Sequence, residues 1–371
     1  MKLKKKTKLQ LAQEKVEEAV NKTNQMIEAL GEETSSLYDA LTTIQQIFDK
    51  IRNIPSEKKL QYEELKQVRL DWKQQAQKIE NDYKKAQATN TGAAATVAAL
   101  GVGVVTMGPT VAMGFATTFG VASTGTAISS LSGAAATNAA LAWLGGGALT
   151  AGGGGMAAGH VFLSLAGPVG WGIALTALVA SGFLFWKNSN NKNRIENIFI
   201  AIANRDVKSY ELADIELKER IGRILNESQK LNEGIDTIQK FGLDYNSMTA
   251  AQQYELGAYV NLMFSSTQLL INPIEGLLPK FSNADFDEFI DWKGRKSKKG
   301  ICIEFKGLVI FLSNLLYKIE MDERDKELFW NLITKDKKML ESMNLPKKKL
   351  EKGIMDASIE AIKYKYNHKS K

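Results

Sequence analysis

Apolar side chains return at helical intervals along most of this chain. Val16, Val20, Thr23, Ile27, Leu30, Thr34, Leu37, Leu41, Ile44, Phe48 and Ile51 alternate steps of four and three residues without a break. A stripe with that period lies on one face of a helix and needs a partner helix to cover it. It predicts a long first helix that stops at Pro55, with a bend or looser packing where Gly31 and the two threonines dilute the stripe. Leu65, Val68, Trp72, Ala76, Ile79 and Tyr83 form a second stripe with one stutter in its spacing. They predict a helix over 57–85, with Ser56 as its N-cap. The sharp turn at Pro55 makes it the natural antiparallel partner of the first. Far along the chain, Leu217, Ile221, Ile224, Ser228, Leu231, Ile235 and Ile238 repeat the spacing and predict a third long helix over about 194–240. The polar run before it, 187–193, reads as a turn or as a flank where the chain leaves a membrane.

The remainder reads as helical and more globular. A helix over 249–271 ends at Asn272 and Pro273. A loop-rich stretch with Phe281, Phe286, Phe289 and Trp292 follows. The apolar segment 301–319 carries Glu304, Lys306 and Lys318, so it predicts a buried core helix and not a membrane span. A charged helix over 322–343 and a basic tail helix beyond Pro346 complete the chain. The expected fold class is all-α: an elongated helical bundle or coiled coil with a hydrophobic, Gly/Ala-rich block inserted in it. Four regions follow: a helical hairpin over 1–85, the inserted block over 86–186, a returning coiled-coil helix over 187–243, and a C-terminal helical domain with a basic tail over 244–371.

The block changes the picture most. From Ala86 to Trp186 there is no Asp, Glu, Lys or Arg, although 24% of the chain is charged. A stretch of that length would ordinarily hold about two dozen charges. Roughly two-thirds of the 30 glycines also fall there. Val161 to Trp186 is a continuous hydrophobic stretch, long enough to cross a hydrocarbon core of ~30 Å as a tilted helix. The stretch near Thr91 is similar in length but is broken at Gly108 and Pro109. Gly147, Ala151, Gly155 and Gly159 recur every fourth residue, as do Gly146, Thr150, Gly154 and Ala158. On a helix each set makes a smooth strip where a second backbone approaches closely, which is how helices associate in lipid. In water each glycine costs a helix about 0.8–1 kcal/mol relative to alanine. The block is therefore expected to be irregular in water and regular in a membrane. Trp171 and Trp186 read as interfacial anchors, Trp186 with Lys187 beside it, and core packing is an equal reading for Trp171.

Candidate chemistry is thin. The lone Cys302 allows no internal disulfide and reads as a core thiol. His160 and His368 are far apart and supply neither a triad nor a zinc site. His160 is the one group in the block that titrates near neutral pH, and a neutral, hydrogen-bonded histidine is its plainer reading. The Gly-rich runs lack the Lys-Ser/Thr of a phosphate loop, and Gly101 and Gly103 lack the third glycine of a dinucleotide site. No catalytic residue, cofactor site or metal site is expected, and the chain does not read as an enzyme. Lys363, Tyr364, Lys365 and Tyr366 interleave basic and aromatic side chains, a short element of the kind that stacks on single-stranded nucleic acid. Nucleic acid is nevertheless not an expected partner. The net charge is +7, part of it in basic ends that attract anionic lipid or simply stay solvated. No apolar stretch follows Lys8, so a cleavable secretory signal is not expected. Synthesis in the cytoplasm and action at a membrane are.

The run from Ala116 to Gly159 resembles the glycine-zipper segment of diverse bacterial membrane-active toxins and effectors. The layout of helices flanking a hydrophobic hairpin is similar to that of α-helical pore-forming toxins, at the level of architecture. The resemblance implies insertion into a bilayer, self-association and loss of the permeability barrier. The expected function is that of a pore-forming effector or toxin, in phage defence or between bacteria, with the lipid bilayer and further copies of the chain as partners. A trigger or immunity protein is left open. The contact residues expected to carry insertion are Gly147, Ala151, Gly155, Gly159, Val161, Trp171 and Trp186. The alternative is a constitutive membrane-anchored coiled-coil scaffold without pore activity.

Overall fold

The structure, a computed structural model, describes residues 6–70, 189–271, 274, 276, 280–281, 283–335 and 350–368. The central block lies outside them. The fold is all-α: the described residues are predominantly helical, and no strand occurs among them.

Helix α1 runs unbroken from Lys8 to Lys50. Its start is fixed by a capping box, in which the Gln10 amide donates to Thr7 Oγ1 (3.2 Å) and the Thr7 amide donates to Gln10 Oε1 (2.9 Å). The stripe is buried as expected at Val16, Leu30, Leu37, Leu41, Ile44, Phe48 and Ile51. Thr23 and Thr34 are buried with it, and the helix continues through Gly31 without interruption. A buried partner for Thr23, described below, satisfies the hydroxyl that would otherwise loosen the packing.

The chain then turns through Asn53, which adopts a left-handed φ of 60°, a conformation asparagine tolerates better than most residues. Helix α2 (56–70 as described) begins with Ser56 as its first helical residue, so Ser56 does not act as the cap. It runs back along α1. The Phe48 and Tyr62 rings meet edge to face at 5.4 Å, and Lys66 reaches Asp49 at 2.9 Å. The sequence reading of its stripe needs one correction. Val68 is 38% exposed, while Arg69 is 3% exposed. The buried face is Tyr62, Leu65 and Arg69, which keeps steps of three and four and removes the stutter.

Helix α3 spans Ser189–Ile238, beginning inside the polar run read as a turn. It packs beside α1 in the same direction. Thr23 bonds Asp214 and Asn53 bonds Asp244, both pairs 191 residues apart. Carried along the stripes, that offset sets Leu30 level with Ile221, Leu37 with Ser228 and Ile44 with Ile235. Backbone bonds between Arg52 and both Leu243 (2.9 Å) and Tyr245 (3.0 Å) close the shared C-terminal end.

Thr249 and Gln252 cap α4 (Ala250–Ile271), which returns antiparallel along α3. The Tyr259 ring packs so closely over Gly234 that a Cβ there would stand 2.5 Å from it. Beyond α4 come α5 (Asn283–Asp291), α6 (Lys299–Glu304), α7 (Lys306–Leu315), α8 (Glu323–Lys335) and α9 (Gly353–His368). The apolar segment read as one core helix is thus two, broken at Phe305. Every residue of α7 from Leu308 to Leu315 is buried; the helix packs on α9, where Ser313 donates to the Ser358 carbonyl at 2.9 Å, and Asn314 bonds the backbone of Phe281. The basic tail is therefore a core element, because α9 supplies one wall of this centre.

Candidate functional site

Gly147, Ala151, Gly155, Gly159, Val161, Trp171 and Trp186, the residues expected to meet lipid and to join helices, all lie outside the described residues, as does His160. What the structure does describe is α2 and α3, the helices that precede and follow the block in sequence, and the contacts that hold both on α1.

The hold between α1 and α3 centres on one buried carboxylate. Asp214 accepts from Thr23 Oγ1 at 2.6 Å through one oxygen and from Lys22 Nζ at 2.8 Å through the other. Its hydrogen bond holds the exposed Lys22 ammonium above the usual lysine range. A buried carboxylate needs such partners, and this one takes both from α1. The threonine in the seam is thus a specific acceptor-seeking group and not a gap in the stripe.

On α3 itself, four charged side chains recur every eleven residues: Arg194, Arg205, Glu216 and Glu227. Eleven residues are close to three full turns, so the four drift only ~20° per step along one face. Each meets a different element of the C-terminal half. Arg194 pairs with Asp322 and, at 2.7 Å, with Asp325 at the N-terminal end of α8. Arg205 donates to the carbonyls of Leu315 (2.9 Å) and Tyr317 (2.6 Å), which are free where α7 ends. Glu216 accepts the Gly276 amide at 3.1 Å, and Glu227 accepts the hydroxyls of Ser265 (3.2 Å) and Ser266 (2.5 Å) on α4. The signs follow the chemistry they meet: cations face carboxylates and carbonyls, anions face an amide and hydroxyls. Gly276 passes close to α3: a Cβ there would stand 3.0 Å from the backbone of Ala213, tighter than an ordinary contact.

Three buried polar atoms on the same helix have no partner: Ser228 Oγ, and, one turn apart beside the Arg205–Asp206 ion pair at 2.7 Å, Asp206 Oδ2 and Tyr210 Oη. Burial pushes the Asp206 carboxyl up and the Tyr210 phenol well up, and it pushes the nearby Lys280 ammonium down. All three shifts disfavour charge at this junction.

At α2 the interface is also polar at its far end. Arg69 Nη2 meets Gln45 Oε1 at 3.4 Å, while Nε and Nη1 are buried without a partner. Burial lowers its guanidinium below the ordinary arginine range. Gln45 in turn donates to Asp49 at 3.1 Å. Burial, with Asp49 next in effect, pushes the Tyr62 phenol up to about 12. Arg69 was passed over in the sequence because a charge does not look like a stripe residue, although its spacing from Leu65 and Trp72 pointed to it.

The basic–aromatic run at the C-terminus is engaged internally. Tyr364 packs on Phe289 (6.0 Å) and Trp292 (5.0 Å), Lys365 pairs with the buried Asp285 at 2.7 Å, and Tyr366 stacks on Tyr317 at 4.8 Å. Cys302 is a buried free thiol, as read, with Ser297 Oγ 3.6 Å away. Among the described residues no group of three His, Cys, Asp or Glu is placed to hold a metal ion. No described helix is long and apolar enough to cross a membrane. No family model, curated protein or solved structure matches the chain.

Proposed function

We propose that this chain is a membrane-permeabilising protein that delivers its charge-free block into a bilayer from a helical carrier, self-associates there and opens the permeability barrier. The observation that carries the reading is the absence of Asp, Glu, Lys and Arg from Ala86 to Trp186 in a chain that is otherwise richly charged. Placing even one such charge at the centre of a bilayer costs about 2.5–3.5 kcal/mol on insertion scales, so lipid is the solvent that demands a block of this composition. The small-residue strip through Gly147, Ala151, Gly155 and Gly159 suits close helix contact, and Val161 to Trp186 suits the inserting helix, with Trp171 and Trp186 at its interfaces.

The carrier supports this reading in one respect. The described helices that precede and follow the block in sequence, α2 and α3, are both packed on α1. An insert tethered at both ends to one bundle can be moved as a unit. Whether the carrier is an effector acting on its own cell or a toxin aimed at another follows from where it is delivered, which the block's chemistry does not specify.

Expression in a bacterial host tests the reading. The native chain is expected to depolarise the membrane and stop growth, and replacing Gly155 and Gly159 by leucine is expected to abolish the effect at equal protein level. Undiminished killing by the leucine variant removes the strip from the mechanism. Constant membrane association with no depolarisation instead supports the scaffold alternative.

A further inference from the structure

From the α1–α2 interface we infer that α2 is a detachable element whose hold on α1 is set by the buried cation of Arg69. This rests on the reading of the block as a membrane-inserting segment and adds how its release is governed.

The two helices that precede and follow the block in sequence, α2 and α3, are held on α1 by unlike contacts. On the α3 side, Asp214 has a partner for each carboxylate oxygen, Thr23 at 2.6 Å and Lys22 at 2.8 Å. On the α2 side, Arg69 is 3% exposed and sits in the stripe that faces α1, yet Nε and Nη1 have no partner and Nη2 has only Gln45 at 3.4 Å. An ion taken out of water with its donors unfilled opposes the burial of its own helix. Within 56–70, Tyr62 and Leu65 are buried and Lys58 donates to Tyr245 Oη at 2.9 Å, while Leu60, Val68 and Leu70 are exposed. Lys66 and Asp49 add a half-exposed ion pair, which contributes little. Lifting the Arg69 turn of α2 off α1 returns the guanidinium to water or to anionic headgroups, and the chain continues from that turn toward Ala86.

Hydrogen–deuterium exchange on the full chain reads the hold directly. In Arg69→Met, a chain of similar reach without the charge, amides of 56–70 are expected to gain about tenfold protection, and those of α7 to stay unchanged. Arg69→Lys, which keeps a cation, is expected to gain none. Unchanged or lower protection in Arg69→Met, or equal gains in both variants, overturns the inference. Dye release from phosphatidylglycerol–phosphatidylcholine vesicles is expected to slow about tenfold in Arg69→Met. Higher protection with undiminished release breaks the link between α2 and insertion. If the native chain releases no dye, the membrane reading fails, and the exchange result alone still decides whether Arg69 weakens α2.

Discussion

Asp206 contributes to the pH dependence of the carrier with the sign opposite to Asp244, Asp322 and Glu323, whose carboxyls are held below the usual range. Its folded carboxyl titrates above the unfolded value of 3.8, chiefly because it is buried. The folded protein therefore binds a proton that the unfolded chain releases, over the window from 3.8 up to the raised folded value. The stabilisation is full below 3.8 and is lost as pH rises through the folded value. The native chain is expected to unfold at a higher urea concentration in mildly acid buffer than in neutral buffer, and Asp206→Asn to lose most of that difference. An Asp206→Asn profile parallel to the native one contradicts this assignment. Thr23 provides a second residue-scale test. Thr23→Val keeps the shape of the side chain and removes the buried donor to Asp214. It is expected to cost about 1–3 kcal/mol in urea unfolding. A cost near zero means that Asp214 finds another donor. Thr23 also marks a limit of pattern reading: in the stripe it counts as a weak apolar position, and its value depends on a residue 191 positions away.

At the scale of elements, the eleven-residue series on α3 separates strong contacts from weak ones. Arg205 is largely enclosed and serves carbonyls that no amide can reach once α7 has ended. Arg194 is more exposed, and its partner Asp322 more so. Arg205→Ala is expected to destabilise by about 2–3 kcal/mol and to speed exchange at the C-terminal end of α7. Arg194→Ala is expected to cost under about 1 kcal/mol, since exposed ion pairs contribute little. Equal effects from the two would show that the series does not dock the C-terminal half in the way described. Gly276→Ala is expected to cost about 1–3 kcal/mol, because the methyl meets backbone atoms of Ala213 and not a side chain able to swing away. Much of this scale was legible in the sequence. The stripes of α1 and α3 locate the two long helices, and Pro55 separates α1 from α2. The direction in which α1 and α3 pair was not legible, because a four–three stripe has the same spacing for parallel and antiparallel partners. Arg69 was hidden by its charge, and the series on α3 by its mixed signs. The break at Phe305 was passed over, although Glu304, Lys306 and Gly307 interrupt the apolar run on both sides of it.

For the whole molecule, the described helices and the block differ in composition. The described helices bury one continuous set of apolar residues from α1 through α9. The block carries no ionic group over a length that could span a bilayer more than once. Its composition was legible from the first reading, and the structure adds that the described helices preceding and following it, α2 and α3, both pack on α1. The account turns on whether that block enters lipid. The most direct measurement is the release of an entrapped dye from vesicles of defined anionic lipid content by the purified full-length chain, followed together with co-flotation of the protein. The account predicts that the protein floats with the vesicles and that dye escapes at a rate that rises with protein concentration. Protein that stays in the aqueous fraction beside intact vesicles, at every lipid composition and pH tried, contradicts it.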